Sequence, residues 1–176
     1  KMPAYAGEDN FIGFALGNMT YPIFRVTCMT HRSDSLWAGN LSSVGGLHGN
    51  ERIGSHVALA ALHLYAERLT WDESLRRKLE TTRVILMPMV NPIGVFRGTR
   101  ANENGVDLNR NCPVEAEQGG PPVLCGHRYG PWLAHYRGPA GAPLEPEVQA
   151  VGGFVKREAF QSEFSILIDF HSGYGM

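Results

Sequence analysis

Two short segments far apart in the chain, Gly46-Leu47-His48-Gly49-Asn50-Glu51 and Ile168-Asp169-Phe170-His171, together hold two imidazoles and a carboxylate. Such a set fills three positions of a tetrahedral zinc ion and leaves the fourth open for water, which separates a catalytic zinc from a structural one. His48 and Glu51 stand three residues apart, so a helical turn would put both on one side, within reach of a single ion. Glu51 on its own would equally well favour a helix N-terminus through the macrodipole. A lone histidine at a strand end is ordinarily a satisfied polar residue, but His171 completes the ligand count. Asp169 is placed either to orient a ligand histidine or to stand solvated at the end of a strand. Between the two segments lies Arg100-Ala101-Asn102-Glu103-Asn104-Gly105-Val106-Asp107-Leu108-Asn109-Arg110-Asn111, preceded by Arg97. Guanidinium forks pair bidentately with carboxylates, and an Asn amide adds directional hydrogen bonds. Asp107 reads as a brace for a neighbouring arginine or backbone.

The elements that must position these residues alternate between strands and helices. Residues 21–30 are rich in β-branched and aromatic side chains, and 41–47 run into Gly45-Gly46; both read as strands. From 52 to 69, Ile53, Val57, Ala60, Ala61, Leu64 and Tyr65 recur at helical spacing. Residues 72–79 add one or two helical turns, and 83–90 form an apolar run suited to a strand covered on both faces. Asn91-Pro92-Ile93-Gly94 then breaks the chain sharply. Residues 145–160 read as a helix with Pro146 in its first turn, and 164–170 as the last strand. This alternation implies an α/β layered domain with a mixed, largely parallel sheet flanked by helices. In such sheets ligands lie beyond the carboxyl ends of the strands, where both His48 and His171 fall. The Pro/Gly-rich stretch 113–144 is too long for a plain connection and reads as a functional loop or a poorly ordered segment. His56 and His63 read as a surface helix face, His127 and His135 as exposed polar residues, and Trp37, Trp71 and Trp132 as packing residues.

Composition sets the outer bounds. The 176 residues suffice for one domain with a hydrophobic core, and 43% apolar with 19% charged residues excludes disorder. A formal charge of −1 gives no general attraction to nucleic acid or to an anionic membrane. No apolar run approaches the roughly 20 residues of a membrane helix. The chain starts at Lys1 without a charged-then-apolar leader, so a targeting segment is expected to be absent or removed. Three cysteines, Cys28, Cys112 and Cys125, do not make a disulfide scaffold. Cys112 and Cys125 bracket the long loop and would pair only in an oxidising compartment.

Taken together, the blocks resemble the zinc carboxypeptidase family. The matching motifs are His-x-x-Glu at His48 and Glu51, Asn-Pro-x-Gly at Asn91, the twelve-residue Arg-x-Asn-x-x-Gly-Val-Asp-Leu-Asn-Arg-Asn block from Arg100, and a strand ending in His171. The likeness runs from about residue 20 to the end of the chain. It implies His48, Glu51 and His171 as ligands of one zinc ion and Arg100 as the arginine that polarises the scissile carbonyl. It also implies that Asn109 and Arg110 hold the carboxylate of a peptide with a free C-terminus. Glu145-Pro146-Glu147 matches the start of the family's helix before the third ligand, whereas Ile93 departs from the Asp usual in the Asn-Pro turn. The family's general-base glutamate, its substrate-capping tyrosine and its last strands lie beyond the position of Met176. The chain is therefore expected to be a partial catalytic domain, with neither Glu103 nor Glu145 assigned as the base.

Two other readings remain open on the sequence. A deacylase of the aspartoacylase and succinylglutamate desuccinylase type shares His-x-x-Glu, Asp-Leu-Asn-Arg and a strand-end histidine, although the middle block has the peptidase form. A fragment that binds zinc and a peptide C-terminus without cleaving it is the other.

Overall fold

The computed structural model describes residues 37–172, with 115–120, 122 and 161 excepted; the strand expected at 21–30 lies outside the described residues. Three parallel strands, β1 (Trp37–Val44), β2 (Thr82–Met87) and β3 (Ser162–Asp169), pair in the order β2-β1-β3. Between them run α1 (Arg52–Arg68), α2 (Glu73–Lys78), α3 (Pro92–Arg97) and α4 (Pro146–Phe154), the last continuing as a π turn, Val155–Ala159. This is the expected α/β architecture. No described helix is long and apolar enough to cross a membrane.

Register is what positions the site. Val44, at the end of β1, pairs with both Met87 of β2 and Asp169 of β3. All three strands therefore end at one level, and the segments that follow them leave the sheet side by side. Under that edge Val44, Val90 and Leu108 form a buried cluster, with Leu47, Met87, Val148 and Val151 packed against it. The middle block is thereby anchored from below: Val106 and Leu108 are buried as apolar residues, and Asp107 between them is buried as a charged one.

The boundaries moved for identifiable reasons. Strand β1 stops at Val44, short of the expected Leu47, because Gly46 turns the chain with a φ of 65°, a region that suits glycine. Pairing in β2 ends at Met87 rather than Val90, just ahead of Pro88, which has no N–H to give a neighbouring strand. The Asn91-Pro92 break is in fact a helix start. Asn91 caps α3 by accepting from Gly94 N at 2.9 Å, with Pro92 in the first turn.

Helix α1 buries a different face from the one its large apolar residues suggested. Ile53, Val57 and Leu64 are exposed, whereas Gly54, Ser55 and Ala58 are buried. Small residues let the helix come close: a Cβ on Gly54 would lie 2.5 Å from Phe170 O. Trp71 and Trp132 are exposed as well and do not pack in the core; Trp71 lies beside the Arg68 guanidinium, 5.9 Å from it. His56 and His63 are exposed on α1, as expected. Cys112 and Cys125 are free, exposed thiols.

Candidate metal centre

Glu51 sits at the N-cap position of α1 yet makes no capping hydrogen bond. Its carboxylate is spent elsewhere. Oε1 lies 2.9 Å from His48 Nδ1 and accepts from Arg100 NH1 at 3.3 Å. Oε2 lies 2.9 Å from His171 Nδ1 and accepts from Ser172 N at 3.1 Å. The two Nδ1 atoms are 3.2 Å apart. His48, Glu51 and His171 thus converge on one point, 120 residues bridged by the aligned ends of β1 and β3. His48 reaches that point from a turn that needs Gly49: a Cβ there would overlap the backbone of Gly94 at 1.8 Å.

The outer nitrogens of both rings face carboxylates. His48 Nε2 lies 3.1 Å from Asp107 Oδ1, and His171 Nε2 lies 2.7 Å from Asp169 Oδ2. Each ring thus has a carboxylate at both nitrogens; with Nε2–H donated outward to Asp107 and Asp169, both Nδ1 lone pairs are aimed inward at Glu51 and at each other. Two lone pairs and a carboxylate facing one another require positive charge between them. A proton can supply it. Burial pushes the His171 pKa down, but its contacts with Asp169 and Glu51 outweigh that and hold it above the ordinary value. Burial likewise opposes ionisation of Glu51, yet His171, His48 and the Ser172 N–H hold its pKa below the usual range. A divalent metal supplies the same charge more fully. Ligand atoms bonded at about 2.0–2.1 Å in a tetrahedron stand about 3.3 Å apart, close to the separations here. The donor set fits zinc.

Asp107 is the hub behind this cluster. It is 1% exposed and collects four donors: His48 Nε2 and Asn109 N (3.0 Å) on Oδ1, Arg100 Nε (2.8 Å) and His135 Nδ1 (3.2 Å) on Oδ2. Burial opposes its charge, but the His48 and Arg100 contacts prevail and hold its carboxyl well below the usual carboxylate range. The sequence suggested a brace for arginine and backbone; Asp107 is that, and also holds His48. Arg100 accordingly spans from Asp107 to Glu51, its guanidinium at the edge of the cluster. The Asn109 side chain is exposed, and Arg110 donates Nε to Leu124 O at 3.0 Å.

Some of the surroundings were not legible in advance. The loop expected to be functional or irregular has no helix or strand in its described part, but hydrogen bonds tie it down. His127 and Tyr136 form an isolated bridge, and Asp107 N donates to Tyr136 O at 2.8 Å. His127 and His135 point inward and are not exposed polar residues. Glu145 does not stand at the cluster: its Oε2 accepts from Asn102 and Asn104 Nδ2, each at 2.7 Å. Glu147, buried at the start of α4, shares the same Asn102 amide.

A profile of the family described as "Zinc carboxypeptidase" matches residues 40–176. The chain belongs to the zinc carboxypeptidase family. Among curated proteins it is similar to mouse carboxypeptidase Z (Mus musculus), 35% identical over 83 residues, which is 40% of this chain and 13% of that protein. It is also similar to mouse carboxypeptidase D, 32% identical over 126 residues, covering 66% of this chain and 8% of the relative. The chain thus spans a small part of the length of the curated relatives it matches. Among solved structures, thrombin activatable fibrinolysis inhibitor shares the fold, with a TM-score of 0.60 at 22% identity over 81% of this chain and 37% of that one.

Proposed function

We propose that this chain carries the metal-binding and substrate-holding part of a zinc metallocarboxypeptidase domain, acting on the C-terminal bond of peptides. The observation that supports it most is the convergence of His48, Glu51 and His171 on one point, with Arg100 in contact with Glu51. His48, Glu51 and His171 would hold one zinc ion, which when bound supplies Lewis-acid activation of water and of a carbonyl. Arg100, fixed at one end by Asp107, presents its remaining N–H groups to the carbonyl oxygen as negative charge develops there. Asn109 and Arg110, two and three residues after Asp107, pair with the substrate's terminal carboxylate, so that the last peptide bond is the one held at the metal. The bond from Arg110 Nε to Leu124 O sets the direction of its guanidinium fork. No residue of this chain is assigned as general base: Glu51 faces the metal point, and Glu145 and Glu147 are held by Asn102.

Binding of a peptide with a free C-terminus, compared with its C-terminal amide and with an N-acyl amino acid, tests this reading. The free acid should bind best, and Arg110→Ala should weaken it about 10- to 100-fold, the worth of a charge-assisted hydrogen bond, while leaving the amide unchanged. Equal binding of acid and amide, or an Arg110→Ala variant that binds as before, would contradict it. Preference for the acyl amino acid would point to the deacylase instead.

A further inference from the structure

His135 lies 28 residues from Asp107 in sequence and belongs to none of the blocks above, yet its imidazole ends on the Asp107 carboxylate. It is also the one non-glycine residue among the described residues with a positive φ, 67°. That conformation is disfavoured for a side chain with a Cβ, though His tolerates it better than bulkier residues. Glycine would be the unstrained choice. The loop does not need the imidazole to stay where it is. His135 O accepts from His127 N at 3.1 Å, Tyr136 O accepts from Asp107 N at 2.8 Å, and Arg137 N donates to His127 O at 2.9 Å. These bonds are all backbone. A strained residue with its side chain directed at a buried charge calls for a reason beyond loop geometry.

The reason lies in how a carboxylate is filled. Two oxygens offer about four acceptor positions, and Asp107 has four donors. Two of them, His48 Nε2 and Arg100 Nε, belong to the proposed active centre; Asn109 N opens the carboxylate-binding pair. The fourth is His135 Nδ1, which shares Oδ2 with Arg100. Without it one buried lone pair is unfilled, and Arg100 alone holds that side of the carboxylate. Asp107 is then free to turn, and both His48 and Arg100 lose a fixed acceptor.

We propose that His135 is a positioning residue of the metal centre, locking Asp107 so that His48 presents Nδ1 inward and Arg100 is held against Glu51. The proposal rests on the zinc reading for its consequence and on the Asp107 contacts for its geometry. His135 touches neither metal nor substrate in it. Its effect passes through Asp107.

Two variants separate this from a structural role. His135→Gly removes the imidazole and relieves the backbone, so the cost of the lost donor to Asp107 is partly offset by the released strain. His135→Asn keeps a donor one bond from Cγ, where Nδ1 stands, on a residue that also tolerates positive φ. Zinc affinity measured by chelator competition should fall about tenfold in His135→Gly, the scale of losing a partner behind a ligand histidine. Asn should restore most of it, and the order of the zinc affinities should not follow the order of the thermal midpoints. Parent-like affinity in the glycine variant, or an asparagine variant as weak as glycine, would overturn the proposal. A second readout uses the zinc-free protein: the His48 Nε2–H proton, buried against Asp107, should exchange slowly in the parent and the Asn variant and faster in the Gly variant. Equal exchange in all three overturns the proposal as well. If the parent chain bound no zinc, the metal reading would fail, and this exchange series would still decide the role of His135.

Discussion

The two histidines of the candidate metal centre sit in unlike surroundings. His48 is 2% exposed, and its partner Asp107 is buried and fixed by three further donors from the middle block and the long loop. The His171 side chain is 27% exposed, and its partner Asp169 is 39% exposed at the end of β3. Strand β3 pairs with β1 alone among the described strands, and its Phe164, Ile166, Leu167 and Ile168 are exposed. One half of the site is thus preorganised by packing and a filled hydrogen-bond network. The other half, among the described residues, has one strand pairing and a partly exposed ion pair. A carboxylate behind a ligand histidine should matter for metal binding in both halves but for stability in only one.

The sharpest way to break this contrast is Asp107→Asn against Asp169→Asn. Asp107 is ionised far below the ordinary range, so its contribution is fully present above an unfolded pKa near 3.8 and is lost as pH falls through its depressed folded value. At neutral pH, Asp107→Asn places an amide among four donors and should cost about 3 kcal/mol in urea unfolding, with zinc affinity reduced about 100-fold. Asp169→Asn should reduce zinc affinity about tenfold, at a stability cost below about 1 kcal/mol. Equal stability losses in the two variants would mean that the halves do not differ in the way described.

Legibility in the sequence followed the same division. Strands β1, β2 and β3, the parallel α/β layout and the placement of His48 and His171 after strand ends could be read, because local apolar runs and glycine turns carry that information. Helix α3 was missed because Asn91-Pro92 serves both to end one segment and to start a helix, and only the cap on Gly94 N distinguishes them. The spacing of the large apolar residues announced helix α1 but not its buried face, which is made by Gly54, Ser55 and Ala58, small enough for close approach beside Phe170. His135 left no signal in a Pro/Gly-rich stretch: its partner is fixed by the loop's path, which no spacing rule encodes. The positive φ at a histidine is visible only in the folded chain.

A smaller effect sharpens the picture on the buried side. Burial raises the pKa of Glu147 above its ordinary value of 4.5, helped by the charges of Glu145 and Glu103 and opposed by Asn102 and its own backbone N–H. The native state therefore holds this proton more tightly than the unfolded chain, and stability falls as pH rises from 4.5 through the raised folded value. Glu147→Gln should remove that slope and gain less than about 1 kcal/mol at pH 7. A variant whose urea midpoint followed pH as the parent's does would contradict this assignment.

The central claim is that His48, Glu51 and His171 form a zinc site, and metal content after dialysis against zinc tests it most directly. The parent protein should hold one zinc ion per chain, and His171→Ala should retain none. A parent chain without zinc, or a His171→Ala variant that keeps a full equivalent, would contradict it.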